Sequence, residues 1–446
     1  MITRVEISGF KSFQDFAIDL RPFQVIIGPN GVGKTNLFDA IALLSRLAGD
    51  RTLDEAFGQA RGEPGELFTL YPDGTRARRM VFAVEMLIEP MMQNAEGKAV
   101  PVSTTRLRYE LTLESRIEGG RDRVHVINEG LLPIRETDDR WVKDNIPTKM
   151  RKGRILREKR PPFIATVGES DGKAIIYRNQ DAPGGGREGT AVGEITQTAL
   201  SAANAARYPT IYAVRQEMQR WRFLQLAPAA MRQAANAGDL TTLSPDGANL
   251  AAVLARFSRE SSAALEAVVK DMRTFIGSIS QVRTLPVPET DQVLIEIETQ
   301  DKARFSSRVL SDGTLRLLAL VTLRNDPLHS GVLCFEEPEN GVQPLRLRQI
   351  VDVLYALSSD VTREDAGAPL RQVIVNTHSP GLLASVPADS VLYMHMKAED
   401  RGRATRALPV RPELIRDEAE RYLTWEQVSR YLDTSALTRK REELGL

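Results

Sequence analysis

Eight consecutive residues, Gly28, Pro29, Asn30, Gly31, Val32, Gly33, Lys34 and Thr35, carry the first recognisable chemistry in this chain. Glycines at this spacing let successive backbone N–H groups turn inward around phosphate oxygens with no Cβ in the way. Lys34 supplies a mobile cation for the terminal phosphates, and the Thr35 hydroxyl is a hard-oxygen ligand for Mg2+. An apolar run, Phe23, Val25, Ile26 and Ile27, precedes the loop, and Leu37, Ile41, Leu44 and Leu47 follow it at helical spacing. Strand, glycine loop and helix in this order read as a nucleotide-binding site, with the helix N-terminus adding positive potential.

Three further segments carry polar groups at the ends of apolar runs. The run Val332-Leu333-Cys334-Phe335 ends in Glu336, Glu337, Pro338, Glu339 and Asn340. One such acid can hold hydrated Mg2+, and the next can orient or deprotonate an attacking water. Leu310-Ser311-Asp312-Gly313-Thr314 stands directly before an apolar helix, where Ser311 or Asp312 also reads as a plain N-cap. Asn376-Thr377-His378-Ser379 follows another apolar run, a place where a lone histidine can equally be structural.

The elements that must position these groups follow from periodicity. Short strands are expected through 2–27, marked by Val5 and Ile7, then Phe16, Ile18 and Leu20, then the run 23–27, and further strands near 80–88, 107–113, 279–285, 292–299, 332–335, 372–376 and 391–396. Helices are expected over 36–47, 210–221, 249–276, 312–324, 345–357 and 425–432. Five units are expected: 1–118, 119–207 as an inserted lobe of strands and loops with Gly184, Gly185 and Gly186 as a flexible connection, 208–300, 301–397, and a charged tail over 398–446. Strands whose carboxyl ends all carry polar motifs imply an α/β sheet presenting them to one ligand.

Composition narrows the class. The chain has 446 residues, 59 Lys plus Arg against 59 Asp plus Glu, one cysteine (Cys334) and four histidines. A whole-molecule basic field, an internal disulfide and a histidine zinc site are thereby excluded or disfavoured. The start, MITRVEISGFKSF, has no apolar signal core, and no window approaches a membrane span, so a cytoplasmic protein with no membrane partner is expected. Residues 149–160 hold seven basic side chains against Glu158 alone. They suit phosphate contacts with nucleic acid, or equally a solvated loop or an acidic partner.

The order of the four motifs, with Ile7-Ser8-Gly9-Phe10-Lys11-Ser12-Phe13 at the start and Asn36-Leu37-Phe38-Asp39-Ala40-Ile41 after the loop, resembles the ABC-type ATPases. Within that class it is similar to the SMC/RecF branch and its OLD-like relatives, the AAA-type ATPases of prokaryotic DNA repair and antiphage defence. The resemblance covers residues 1–90 and 300–397. It implies an ABC-type P-loop ATPase head with a mixed and parallel sheet, here carrying a globular α+β insertion without heptads for a coiled-coil arm. Residues 28–35 would then be the Walker A loop, binding ATP. Glu336 would take the Walker B acid position and, with Thr35, hold Mg2+. Glu337 would be the catalytic base, His378 the switch histidine, and Ser311 and Gly313 the signature that meets the nucleotide of an opposite subunit.

A homodimer, or a higher even oligomer, follows from those roles. Departures from the family are Glu336 in place of Asp, Asp312 and Thr314 in the signature, and Gln343 where relatives carry His. The family's Q-loop glutamine has no evident position. No carboxylate cluster of the TOPRIM type is apparent after His378, so nuclease chemistry is expected on a separate effector chain. The leading expectation is therefore an ATPase that controls such an effector in antiphage defence. A RecF-like DNA clamp and a nucleotide-sensing scaffold with little hydrolysis stand as alternatives.

Overall fold

The structure, a computed structural model, describes all residues except 50, 95, 159, 169–173, 182–184, 239–241, 364–368, 412–422, 425–426 and 429–446. Five strands form a parallel array in the order Arg222–Leu224, Gly331–Glu336, Arg371–Asn376, Phe23–Ile27 and Val391–Glu399. Gly402–Arg411 returns antiparallel beside Val391–Glu399, and Leu423–Thr424 closes the sheet. The central strands read as unbroken apolar runs because both of their faces are covered. Ile26, Val332, Cys334 and Ile374 face one core, shared with the helix Lys34–Leu47. Val25, Ile27, Leu333, Phe335, Val373 and Val375 face the other, shared with the helices Leu250–Glu260, Asp312–Asn325 and Leu347–Leu357. Period-two alternation divides each strand between the two cores.

A second sheet is antiparallel and eight-stranded. Its order is Arg187–Ala191, Ala174–Asn179, Ile164–Gly168, Arg121–Pro133, Arg106–Glu118, Arg79–Leu87, Ile2–Ser8 and Phe16–Asp19. Leu107, Tyr109, Leu111 and Leu113 alternate inward onto the core that also holds the Lys34–Leu47 helix. The boundary expected after residue 118 falls on the turn of a long hairpin, at Gly119 and Gly120, both at positive φ. The strands from 121 to 191 thus extend the sheet that begins at Ile2. Sequence period cannot show this, because partners far along the chain decide it. Gly184 lies outside the described residues.

Two other expectations change. The helix read over 249–276 is two helices, Leu250–Glu260 and Ser262–Phe275, because Ser261 leaves helical geometry and its hydroxyl accepts from the Ala264 N–H at 3.4 Å. The stretch from 398, read as a tail, contributes the Gly402–Arg411 strand. The helix expected over 425–432 lies, apart from Gln427 and Val428, outside the described residues. A small third sheet pairs Ile279–Pro286 with Gln292–Thr299, where Val293, Ile295 and Ile297 are buried as their alternation predicts.

Candidate functional site

Strand register brings the motifs level. Cα partners run from Glu336 to Asn376 and from Asn376 to Ile26, so the acid strand, the histidine strand and the glycine-loop strand end side by side. Glu337 N–H donates to Asn376 O at 2.8 Å, and Thr377 N–H to Ile26 O at 3.1 Å, which carries the alignment one residue past each strand. No local signal sets this register.

The loop leaves its strand at Gly28 and enters the helix Lys34–Leu47 through Gly33, whose φ of 98° is left-handed. No side chain caps that helix, so its first N–H groups are available to an anion. Lys34 is buried, and its Nζ donates to Gly28 O at 2.7 Å and Pro29 O at 2.9 Å, folded over its own loop. Burial lowers the Lys34 pKa, while the nearby Glu337 charge pulls it back up.

Glu337 sits at φ 47°, a backbone conformation that a non-glycine residue reaches at a cost of about 1–3 kcal/mol. Asn340 Nδ2 donates to its Oε2 at 2.7 Å, and His378 Nδ1 lies 2.9 Å from its Oε1. Glu336 is half-buried, and its Oε1 is a buried oxygen with no partner. An orphaned carboxylate oxygen at this strand end, with Thr35 opening the helix beyond the loop, fits a hard divalent cation. Behind them Thr377 Oγ1 donates to Glu339 Oε1, and burial raises the Glu339 carboxyl pKa.

Ser311 caps the helix Asp312–Asn325: its Oγ accepts from Thr314 N–H at 3.2 Å and lies 2.8 Å from Thr314 Oγ1. Arg232 holds the same turn, donating to Leu310 O at 2.9 Å and pairing with Asp312. A cavity of about 610 Å3 lies between Arg232, Asp312 and Arg316 on one side and Glu336 and Glu337 on the other. Lys34, Glu337 and His378 are therefore brought together. No hydrogen bond among the described residues joins Ser311 or Gly313 to the glycine loop of the same chain.

Sequence reading left some residues of the site without a role. Gln225 follows the edge strand Arg222–Leu224, whose Leu224 is the Cα partner of Phe335, so Gln225 stands level with Glu336. Both residues line the 610 Å3 cavity and a neighbouring one of about 530 Å3. A three-residue strand after Trp221 has no periodicity to reveal it, whereas Glu339, Asn340 and Thr377 lay inside motifs already noticed.

The basic segment is largely occupied internally. Arg151 donates to Ile146 O at 2.9 Å, Arg154 to Val361 O at 3.1 Å, Arg157 to Asp139 Oδ2 at 2.7 Å, and Arg160 to Gln180 O at 3.0 Å. Lys149 and Lys152 are exposed, and Lys159 lies outside the described residues.

Comparison with known proteins yields two family matches. The model described as "AAA domain, putative AbiEii toxin, Type IV TA system" matches residues 99–384, and "AAA ATPase domain" matches residues 1–71. The first spans Ser311, Glu336, Glu337 and His378, and the second spans the glycine loop. The chain is 39% identical over 181 residues to the DNA replication and repair protein RecF of Acidothermus cellulolyticus, covering 40% of this chain and 43% of that protein. It is 33% identical over 101 residues to the chromosome partition protein Smc of Bordetella petrii, covering 22% of this chain and 8% of that one. It thus spans less than half the length of either curated relative. Among solved structures, an Smc head bound to the C-terminal winged-helix domain of ScpA aligns with TM-score 0.49 and 15% identity, over 92% of this chain and 98% of that one. The Smc head with a coiled coil and joint from Pyrococcus yayanosii aligns with TM-score 0.47 and 12% identity, over 98% of this chain and 99% of that one. No helix among the described residues is long and apolar enough to cross a membrane.

Proposed function

Because this chain belongs to the AAA-domain family described as "AAA domain, putative AbiEii toxin, Type IV TA system", we propose that it is an ATPase of the SMC/RecF type that binds ATP with Mg2+, hydrolyses it, and dimerises around it. In this reading the ATPase cycle controls a separate effector, a nuclease, in antiphage defence. The observation that carries the catalytic part is the Glu337–His378 pair at 2.9 Å, set on adjacent strand ends beside the loop whose lysine feels the Glu337 charge. Residues 28–35 would hold the triphosphate, with Lys34 released from its own carbonyls to meet it. Thr35 and Glu336 would hold Mg2+, which when bound neutralises developing phosphate charge. Glu337, with Asn340 donating to one oxygen and His378 beside the other, would orient and deprotonate water.

Ser311 is engaged within its own turn, capping the helix Asp312–Asn325 with no hydrogen bond to the glycine loop of its own chain, and in this reading it and Gly313 work on the nucleotide of a second copy, in a dimer or a higher even oligomer. The effector half of the reading rests on the family description, which names a toxin–antitoxin system. The DNA-clamp alternative loses much of its motivation, since four arginines of the 149–160 segment already serve internal acceptors. The test is phosphate release and solution mass of the purified chain with and without Mg2+ and ATP. Mg2+-dependent turnover and a nucleotide-dependent doubling of mass are expected, and the absence of both overturns the ATPase reading. Loss of phage protection in cells carrying Lys34→Ala in the native gene cluster is expected for the defence role, and full protection would remove it.

A further inference from the structure

The hairpin formed by Val391–Glu399 and Gly402–Arg411 touches the glycine loop at both of its ends. At the first end, a Cβ on Gly28 would lie 2.2 Å from Met394 O, so this backbone is packed directly on the loop. At the second end stands Thr405, fully buried, with its Oγ1 2.8 Å from Val32 O and 2.8 Å from Ser12 Oγ. Its N–H also donates to Ser12 O at 3.0 Å, and Asn36 Nδ2 donates to Ser12 Oγ at 2.9 Å.

One proton arrangement satisfies every group in this chain of bonds. Asn36 donates to Ser12, the Ser12 hydroxyl donates to Thr405, and the Thr405 hydroxyl donates to the Val32 carbonyl. Val32 and Asn36 flank Gly33, Lys34 and Thr35, so the chain of bonds runs from the backbone carbonyl before the three residues that would meet phosphate and metal to the side chain just after them. It also explains the glycine at 33: a Cβ there would lie 2.6 Å from Ser12 Oγ and 2.7 Å from Thr405 Oγ1.

We propose that Thr405 is a positioning residue for the glycine loop, its hydroxyl fixing Val32 through a relay shared with Ser12 and Asn36, and that the C-terminal hairpin is thereby part of the nucleotide site. The proposal rests on the reading that this loop binds ATP. Removing the hydroxyl while keeping the shape leaves the Val32 carbonyl without its donor and lets the loop relax away from the geometry that a triphosphate needs.

The experiment compares Thr405→Val and Thr405→Ser in the full chain, with Mg2+·ATP titrated calorimetrically and turnover measured alongside. Thr405→Val is expected to weaken Mg2+·ATP binding and raise KM by about 10-fold, with kcat within about 2-fold, and Thr405→Ser is expected to restore both. A Thr405→Val protein with wild-type affinity and KM overturns the proposal. So does equal weakening in Thr405→Val and Thr405→Ser, which would make the role one of packing. If Thr405→Val does not fold, Thr405→Ala removes the same donor with less bulk and must show the same KM rise relative to Thr405→Ser, or the proposal fails. A wild-type chain that binds no Mg2+·ATP overturns the ATP reading itself, an outcome distinct from all of these.

Discussion

Exchanging the Glu337 carboxylate for an amide isolates its chemistry from its architecture. One carboxylate oxygen accepts from Asn340 Nδ2 at 2.7 Å, and the other lies 2.9 Å from His378 Nδ1. In Glu337→Gln the new amide keeps one acceptor oxygen, and the Asn340 amide can rotate to offer its own oxygen to the new N–H. The side chain is 41% exposed, so the stability change should stay within about 0.5 kcal/mol. What disappears is the proposed base. Loss of a positioned general base lowers turnover by about 10²–10⁴-fold, or about 2.7–5.4 kcal/mol in activation free energy at 1.36 kcal/mol per decade. The groups proposed to bind ATP in residues 28–35 are untouched, so affinity should remain within about 3-fold, and unhydrolysed nucleotide should hold dimers together. The assay pairs steady-state phosphate release with equilibrium ATP binding and solution mass, on the variant and the parent. A variant that binds ATP normally and turns over at more than about one-fifth of the parental rate would refute Glu337 as the base, since no general-base role yields so small a loss.

Other expectations are as direct. Lys34→Met should reduce Mg2+·ATP affinity by about 100-fold or more, since the cation for the terminal phosphates is gone. Its melting temperature without nucleotide should match or exceed that of the parent, because burial disfavours the Lys34 charge, and a drop of several degrees would contradict this. Phe335→Ala, at a fully buried position on the acid strand, should destabilise by about 3–5 kcal/mol in urea unfolding, and a loss under about 1 kcal/mol would contradict its place in the core. His329 is buried with both ring nitrogens unpartnered, and burial and then the Arg371 charge depress its pKa to about 3. Its contribution is present above the unfolded value of about 6.5 and is lost as pH falls, by about 2 kcal/mol between pH 7.5 and 5, so His329→Leu should flatten that acid-side slope in urea titrations. Glu129 runs the other way: burial raises its carboxyl to about 7 against the pull of the Ala199 and Leu200 N–H donors, so its share of stability is lost as pH rises from about 4.5 to 7. In a His329→Leu background, stability should therefore fall as pH rises through that window, and a rise would contradict the Glu129 assignment.

Residue type and short-range order determined much of this protein. The glycine loop with Lys34 and Thr35, the acids closing the run from Val332, and the polar ends at Ser311 and His378 are local features. Their elements form largely as periodicity predicts because a helix answers to neighbours three and four residues away and a strand to alternate ones. What tertiary structure decided is which distant pieces meet. The register that sets Glu336 level with Asn376 and Ile26, the membership of the 121–191 strands in the sheet that holds Ile2–Ser8, and the return of Gly402–Arg411 to grip Val32 all depend on pairings between segments from tens to hundreds of residues apart. The arginines of 149–160 make the same point, since charge density is visible in sequence whereas the backbone carbonyls that absorb it are supplied by the fold. Local composition specifies what each segment can do, and long-range packing specifies what it does it to, because burial and hydrogen-bond partners exist only once the chain has closed on itself.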